Sequence, residues 1–239
     1  MNNPAFFKSE SGFIFSGITP EVHLCLVNEL TSTNHLTKLQ LSEAASLCMA
    51  MVIRYALGSK AIDGNIVSFF DDSLQGLVAL STLRHLANGG AKCQAYQCSS
   101  SLEASNEFIQ SISAAQSSGI EVNTKSLDST QFSNVHGAIC GLKEDSSINN
   151  IKDFLNESTI SVHSVIMPPV NLDSGKHEIF SASTMSLGLP LKDTAKFKEQ
   201  IGRHYLCDIC IPQETYEKFG LKNCSLFSEQ PVIKIFNAE

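Results

Sequence analysis

SLGLPLKDTAKFKEQIGRHYLCDICIP, from Ser186 to Pro212, holds a strand-like run at each end, with Gly202-Arg203 as the turn ahead of the second. Leu187-Gly188-Leu189-Pro190 ends the first run with residues that favour sharp backbone turns. The expected strands are Ser183 to Leu187 and Tyr205 to Ile211. Similar apolar runs of strand length occur at Ile66 to Phe70, Cys93 to Tyr96, Val135 to Cys140, Thr159 to Met167 and Val232 to Phe236.

Helical patterns alternate with these runs. Thr19-Pro20-Glu21 starts a helix: the threonine caps free amides, proline suits the first turn and the glutamate complements the dipole. This helix is expected to reach about Leu30, and a second, poor in charge and closed by Gly58, to run from Leu41 to about Leu57. Others are expected at Leu77 to Ala87, Leu102 to Ser117 and Ile148 to Leu155. Ile66 to Tyr96 reads as strand, helix, Asn88-Gly89-Gly90 turn and strand, which is a parallel crossover unit. The expected architecture is a three-layer, Rossmann-like α/β fold with a mostly parallel central sheet and helices on both faces. Residues 18–239 form this domain and residues 1–17 an N-terminal extension; Asn171 to His177 is a polar loop.

Composition narrows the function classes. The 239 residues are 43% hydrophobic, with a formal net charge of −7, a pI near 5.5 and a mean hydropathy of +0.02. A globular core follows, and bulk attraction to nucleic acid or anionic lipid does not. No apolar run approaches the ~18 residues of a membrane span, and Met1 to Gly17 lacks the basic start and apolar stretch of a signal peptide. A cytoplasmic protein without membrane contact is expected.

The eight cysteines are expected to remain thiols, with Cys25 and Cys48 on helices and Cys93, Cys140, Cys207 and Cys210 on strands as small buried hydrophobes. Cys207 and Cys210 lie three apart on an expected strand, so they point to opposite faces, and no second Cys/His pair has zinc-site spacing. No metal is expected. The histidines form no nucleophile–base pattern, and no G-x-S-x-G is present; His136 and His163 fall on expected strands.

In an open parallel sheet, ligands bind beyond the carboxyl ends of the strands. The loop there reads Phe70-Asp71-Asp72-Ser73-Leu74-Gln75-Gly76. A phosphate cradle needs glycines and no adjacent negative charge, whereas this loop has one glycine and two aspartates. The aspartates read as solvated turn residues.

Four blocks resemble the YjeF N-terminal domain: Arg84-His85-Leu86-Ala87-Asn88, Pro168-Pro169-Val170, Leu187-Gly188-Leu189-Pro190, and Gly202 to Ile209 followed by Pro212 and Tyr216. Within that superfamily they look most like the domain at the C-terminal end of enhancer-of-mRNA-decapping (Edc) scaffold proteins. The resemblance covers about Ile18 to Phe236. Enzymatic relatives are epimerases of hydrated nicotinamide dinucleotides, and each of their signature sites is altered here. Their glycine-rich loop corresponds to Phe69 through Gly76, their strand-end aspartate to Ile166, and their lysine to Leu191, with Lys192 one position later. Neither isoleucine nor leucine transfers a proton.

The resemblance therefore implies a non-catalytic, dimerising scaffold module of a cytoplasmic mRNA-decapping protein found in P-bodies, needing no cofactor. The alternative is a divergent NAD(P)HX epimerase. A vestigial nucleotide cleft would be formed by Phe70, Asp71, Asp72, Ser73, Gln75, Pro168 and Lys192. RNA contacts would come from Arg84, His85, Lys192, Lys196, Lys198, Arg203 and His204. Contacts with other mRNA-decay factors belong to scaffold regions outside these residues. The expected dimer surface uses Phe6, Phe7, Phe13, Ile14 and Phe15, which otherwise cover an edge of the same subunit.

Overall fold

A computed structural model describes residues 5–33, 35–98, 104–124, 134–143, 149–157, 159–167, 170–171, 176–177, 179–220, 226–227 and 230–238. The chain begins with a hairpin, β1 (Phe6–Ser9) and β2 (Ile14–Ser16), then α1 (Pro20–Ser32), α2 (Lys38–Leu57) and the short α3 (Lys60–Asp63). β3 (Asn65–Phe70), α4 (Leu74–Asn88), β4 (Lys92–Gln97), α5 (Asn106–Ser117) and β5 (Glu121–Asn123) follow. Next are β6 (Val135–Gly141), α6 (Asn149–Glu157), β7 (Ser161–Val165) and the small antiparallel pair β8 (Val170–Asn171) and β9 (Lys176–His177). Then come β10 (Ser183–Leu187), a 3-10 turn (Lys192–Lys196), α7 (Lys198–Ile201), β11 (Arg203–Cys207), α8 (Gln213–Lys218) and β12 (Val232–Asn237).

Ten strands form one sheet in the order β2-β1-β12-β11-β10-β7-β6-β3-β4-β5. From β11 to β5 every pairing is parallel. β12, β1 and β2 add an antiparallel border. Residues 1–17 thus contribute two strands to the sheet. Phe7 is fully buried and stacks on Phe15, while its edge meets His204; Phe6, Phe13 and Ile14 stay exposed. The N-terminal aromatics therefore divide between the interior of this subunit and its surface.

The core lies on both sides of the sheet. On one side α4 packs against β3 and β6 with α2 outside it. Val67, Phe69, Ala138, Cys140 and Val162 point the other way and meet Ile151 and Leu155 of α6. The mostly parallel, three-layer architecture expected from the alternation is the one observed. Among the described residues no helix is long and apolar enough to cross a membrane.

Several element ends differ from expectation for local reasons. α4 starts at Leu74, a turn earlier than the apolar pattern suggests, because the Ser73 hydroxyl accepts the Gly76 N–H as an N-cap. α2 starts at Lys38, where Thr37 and Gln40 form a reciprocal capping box. β11 spans Arg203–Cys207 rather than Tyr205 to Ile211. Asp208 leaves the ladder, its carboxylate accepting the Cys210 N–H at 2.7 Å, and Cys210 takes a φ of 59°. Cys210 is therefore on an exposed turn while Cys207 is buried. Gly202, with φ 58°, leads directly into β11, whose join to β10 is a parallel crossover through the 3-10 turn and α7.

Candidate functional site

The topology creates a crevice at a defined place. From β3 the chain steps outward through β4 and β5, then returns on the other side of β3 as β6. Loops leaving β3 and β6 therefore diverge at their carboxyl ends. Asp71 bridges that gap: its carboxylate accepts the Ser73 hydroxyl and, at 2.8 Å, the backbone N–H of Lys143 just beyond β6. Asp72 accepts the N–H and hydroxyl of Ser105 at 2.9 and 2.8 Å, and Ser105 caps α5.

The expectation of solvated turn aspartates is corrected by these contacts. Asp71 is only 4% exposed. One carboxylate fastens two strand ends together and the other holds α5. A Cβ at Gly76 would collide with the Asp71 carbonyl oxygen, and one at Gly141 with the Gln75 carbonyl oxygen. Glycine here permits close packing of α4 on the strand ends, a different use from cradling an anion.

Beside this crevice lies a cleft of about 460 Å³ between α1 and the ends of β3, β6 and β7. Of the expected cleft residues, Asp72, Ser73 and Gln75 line it, together with Ile166 and Leu191. Phe70 and Asp71 are buried behind it. Lys192 is outside the lining; its N–H donates to the Ile18 carbonyl at 2.8 Å, and the Glu21 carboxyl, lowered first by the Thr19 hydroxyl, is lowered further by the Lys192 ammonium. Pro168 is outside the described residues.

Ile166 is held in an unusual backbone. Its φ is 67°, and the Met167 N–H donates to the Val165 carbonyl at 2.9 Å, giving a γ-turn of the positive-φ form. β10, the neighbouring strand, ends in the same way at Gly188, with φ 71° and a Leu189 N–H to Leu187 carbonyl bond of 2.8 Å. Glycine adopts this conformation freely, whereas a β-branched residue is strained in it. This shape shortens β7 relative to the expected Thr159 to Met167 run.

Lys38, Lys143, His23 and Asn28 also line the cleft and were not singled out from the sequence. Only Lys143 carried an available signal, as the cation just after a strand. His23 Nε2 is buried without a hydrogen-bond partner, and burial pushes the imidazole down to about 4. The neighbouring Leu187 backbone opposes that fall without cancelling it.

The expected RNA contacts do not form one patch. The Arg84 guanidinium is paired to Glu43 of α2 at 2.5 Å, and His85 lies 3.3 Å from the same carboxylate. Lys196 pairs with Asp193 at 2.7 Å. Lys198, Arg203 and His204 do come together, in a second groove of about 230 Å³ that also contains Lys234 and Phe236. The Lys234 ammonium sits 4.9 Å from the Phe236 ring centre.

Among the described residues five thiols are held protonated by burial, whereas Cys25 and Cys210 are exposed, against expectation. Burial raises Cys48 to about 11, Cys93 and Cys98 to about 12, and Cys140 and Cys207 further. Such thiols stay protonated and unreactive. Among the described residues no cluster of three or more His, Cys, Asp or Glu side chains is placed to hold a metal ion.

No family model and no curated protein matches the chain. Among solved structures, that of the yeast protein YNL200c matches with a TM-score of 0.71 at 17% identity, over 91% of this chain and 99% of that one. The chain therefore shares the α/β fold of that yeast protein. An N-acetyl-L-ornithine transcarbamylase structure matches 52% of this chain and 44% of its own at 9% identity, and its TM-score of 0.34 carries no argument.

Proposed function

We propose that this chain, folded as a YjeF N-terminal-type domain, is a non-catalytic module that homodimerises within a cytoplasmic mRNA-decapping scaffold resident in P-bodies. The observation that carries the reading is the lining of the cleft. At the two positions where the resemblance puts an acid and a base, Ile166 and Leu191 present hydrocarbon, each about 5% exposed. The glycine-rich loop is replaced by a segment stitched shut through Asp71. A scaffold needs the frame and a self-association surface, and neither depends on proton transfer. Phe6, Phe13 and Ile14, exposed on the border hairpin, supply apolar surface for a second copy. Dimerisation would raise the effective concentration of attached binding regions. Sedimentation velocity at low micromolar concentration is expected to show a dimer that Ile14→Asp converts to monomer; a wild-type chain that sediments only as monomer refutes the scaffold role.

A second reading, RNA binding, is favoured by one feature, the groove that gathers Lys198, Arg203 and Lys234 beside Phe236. Its lining contains no carboxylate, despite the chain's net charge of −7. Cations on phosphate with a base stacked on an aromatic ring suit a single strand. Retention of oligonucleotide on filters should fall with added salt and with Arg203→Glu; a signal that responds to neither eliminates this reading.

A further inference from the structure

The retained cleft has a chemistry of its own. Its wall is largely hydrocarbon, from Leu24, Val27, Leu142, Val165, Ile166 and Leu191. A volume of about 460 Å³ and an apolar lining with few polar groups suit a small organic ligand. The charged groups in the lining are Lys38, Lys143 and Asp72. Both oxygens of Asp72 are already engaged by Ser105. Two ammonium groups against one carboxylate match a single negative charge, where a pyrophosphate brings two.

We propose that the cleft binds an apolar, ring-sized organic monoanion, with its anionic group between Lys38 and Lys143. The ring lies against Ile166 and Leu191, so the substitutions that remove proton-transfer chemistry are the ones that create the apolar floor. This inference rests on the non-catalytic reading of the cleft and is independent of dimerisation.

Indole-3-propionic acid is a suitable probe because it has an apolar ring and one carboxylate. The chain contains no tryptophan, so indole emission reports binding without a protein background. Saturable one-to-one binding is expected. Lys143→Glu should weaken it about tenfold or more, by loss of one charged partner and gain of a like charge. Uncharged 3-ethylindole should bind the unaltered protein about tenfold more weakly than the acid, which tests the charge contact without any substitution. NAD should fail to displace the probe. Absence of binding at millimolar probe, or equal affinity for the charged and uncharged indoles, overturns the proposal. Displacement by NAD with no turnover of hydrated NADH also overturns it while leaving the non-catalytic reading intact; turnover itself defeats that reading and the proposal with it.

Discussion

Ile166 concentrates the physical history of the site in one residue. Holding a β-branched side chain at a φ of 67° costs about 1–3 kcal/mol, and such strain persists only where surrounding structure enforces it. Here the enforcement is the Ile166 N–H bond to the Met185 carbonyl, at 2.6 Å, together with the γ-turn. The bend sets Ile166 in the cleft lining, where its hydrocarbon side chain transfers no proton. His163 and His204 are the other informative residues. Each is fully or almost fully buried, each bonds serine hydroxyls, and burial lowers each to about 4. The folded state therefore keeps both neutral, while the unfolded chain protonates them below about 6.5. More protons bind to the unfolded state between those values, so their contribution is complete above pH 6.5 and disappears as pH falls toward 4. At pH 5 the loss is about 2 kcal/mol per histidine relative to pH 7.5, by the linkage relation. Urea midpoints measured across this range should fall on acidification, and His204→Gln should flatten the slope.

At the scale of elements, the hairpin β1–β2 is a structural border with one buried anchor. Truncating Phe7, which is fully buried among Phe15, His204 and the sheet, should cost about 3–5 kcal/mol. Urea unfolding of Phe7→Ala checks this, and Phe6→Ala, on the exposed side, should cost far less. Most strands and helices were legible in the sequence, because apolar runs and helical periodicity record burial directly: the expected Ser183 to Leu187 strand matches β10 without adjustment. What was hidden depended on partners distant in sequence. Asp71 and Asp72 look like loop residues until Lys143 and Ser105, separated by 72 and 33 positions, are brought to them. Lys38 and His23 were illegible as site residues for the same reason: they arrive from two helices that no spacing rule connects to a strand end. β7 was read too long because nothing in Val165-Ile166-Met167 announces a positive-φ turn.

The whole molecule separates a frame from a function. Its parallel sheet, switch point, capped α4 and strand-end γ-turns make the crevice where a Rossmann-like protein places its chemistry. Within it, the fixed carboxylates Asp71 and Asp72 hold structure, and Ile166 and Leu191 put hydrocarbon into the cleft lining beside Lys38 and Lys143. A net charge of −7 keeps bulk electrostatics unfavourable to polyanions, and the Lys198, Arg203 and Lys234 groove is a local cationic exception among the described residues. The claim that the frame survives without its chemistry is tested most directly by following epimerisation of hydrated NADH with the purified chain. No rate above the spontaneous reaction is expected at any pH from 6 to 9. Turnover above that background, abolished by Lys143→Ala or Asp72→Asn, would contradict it.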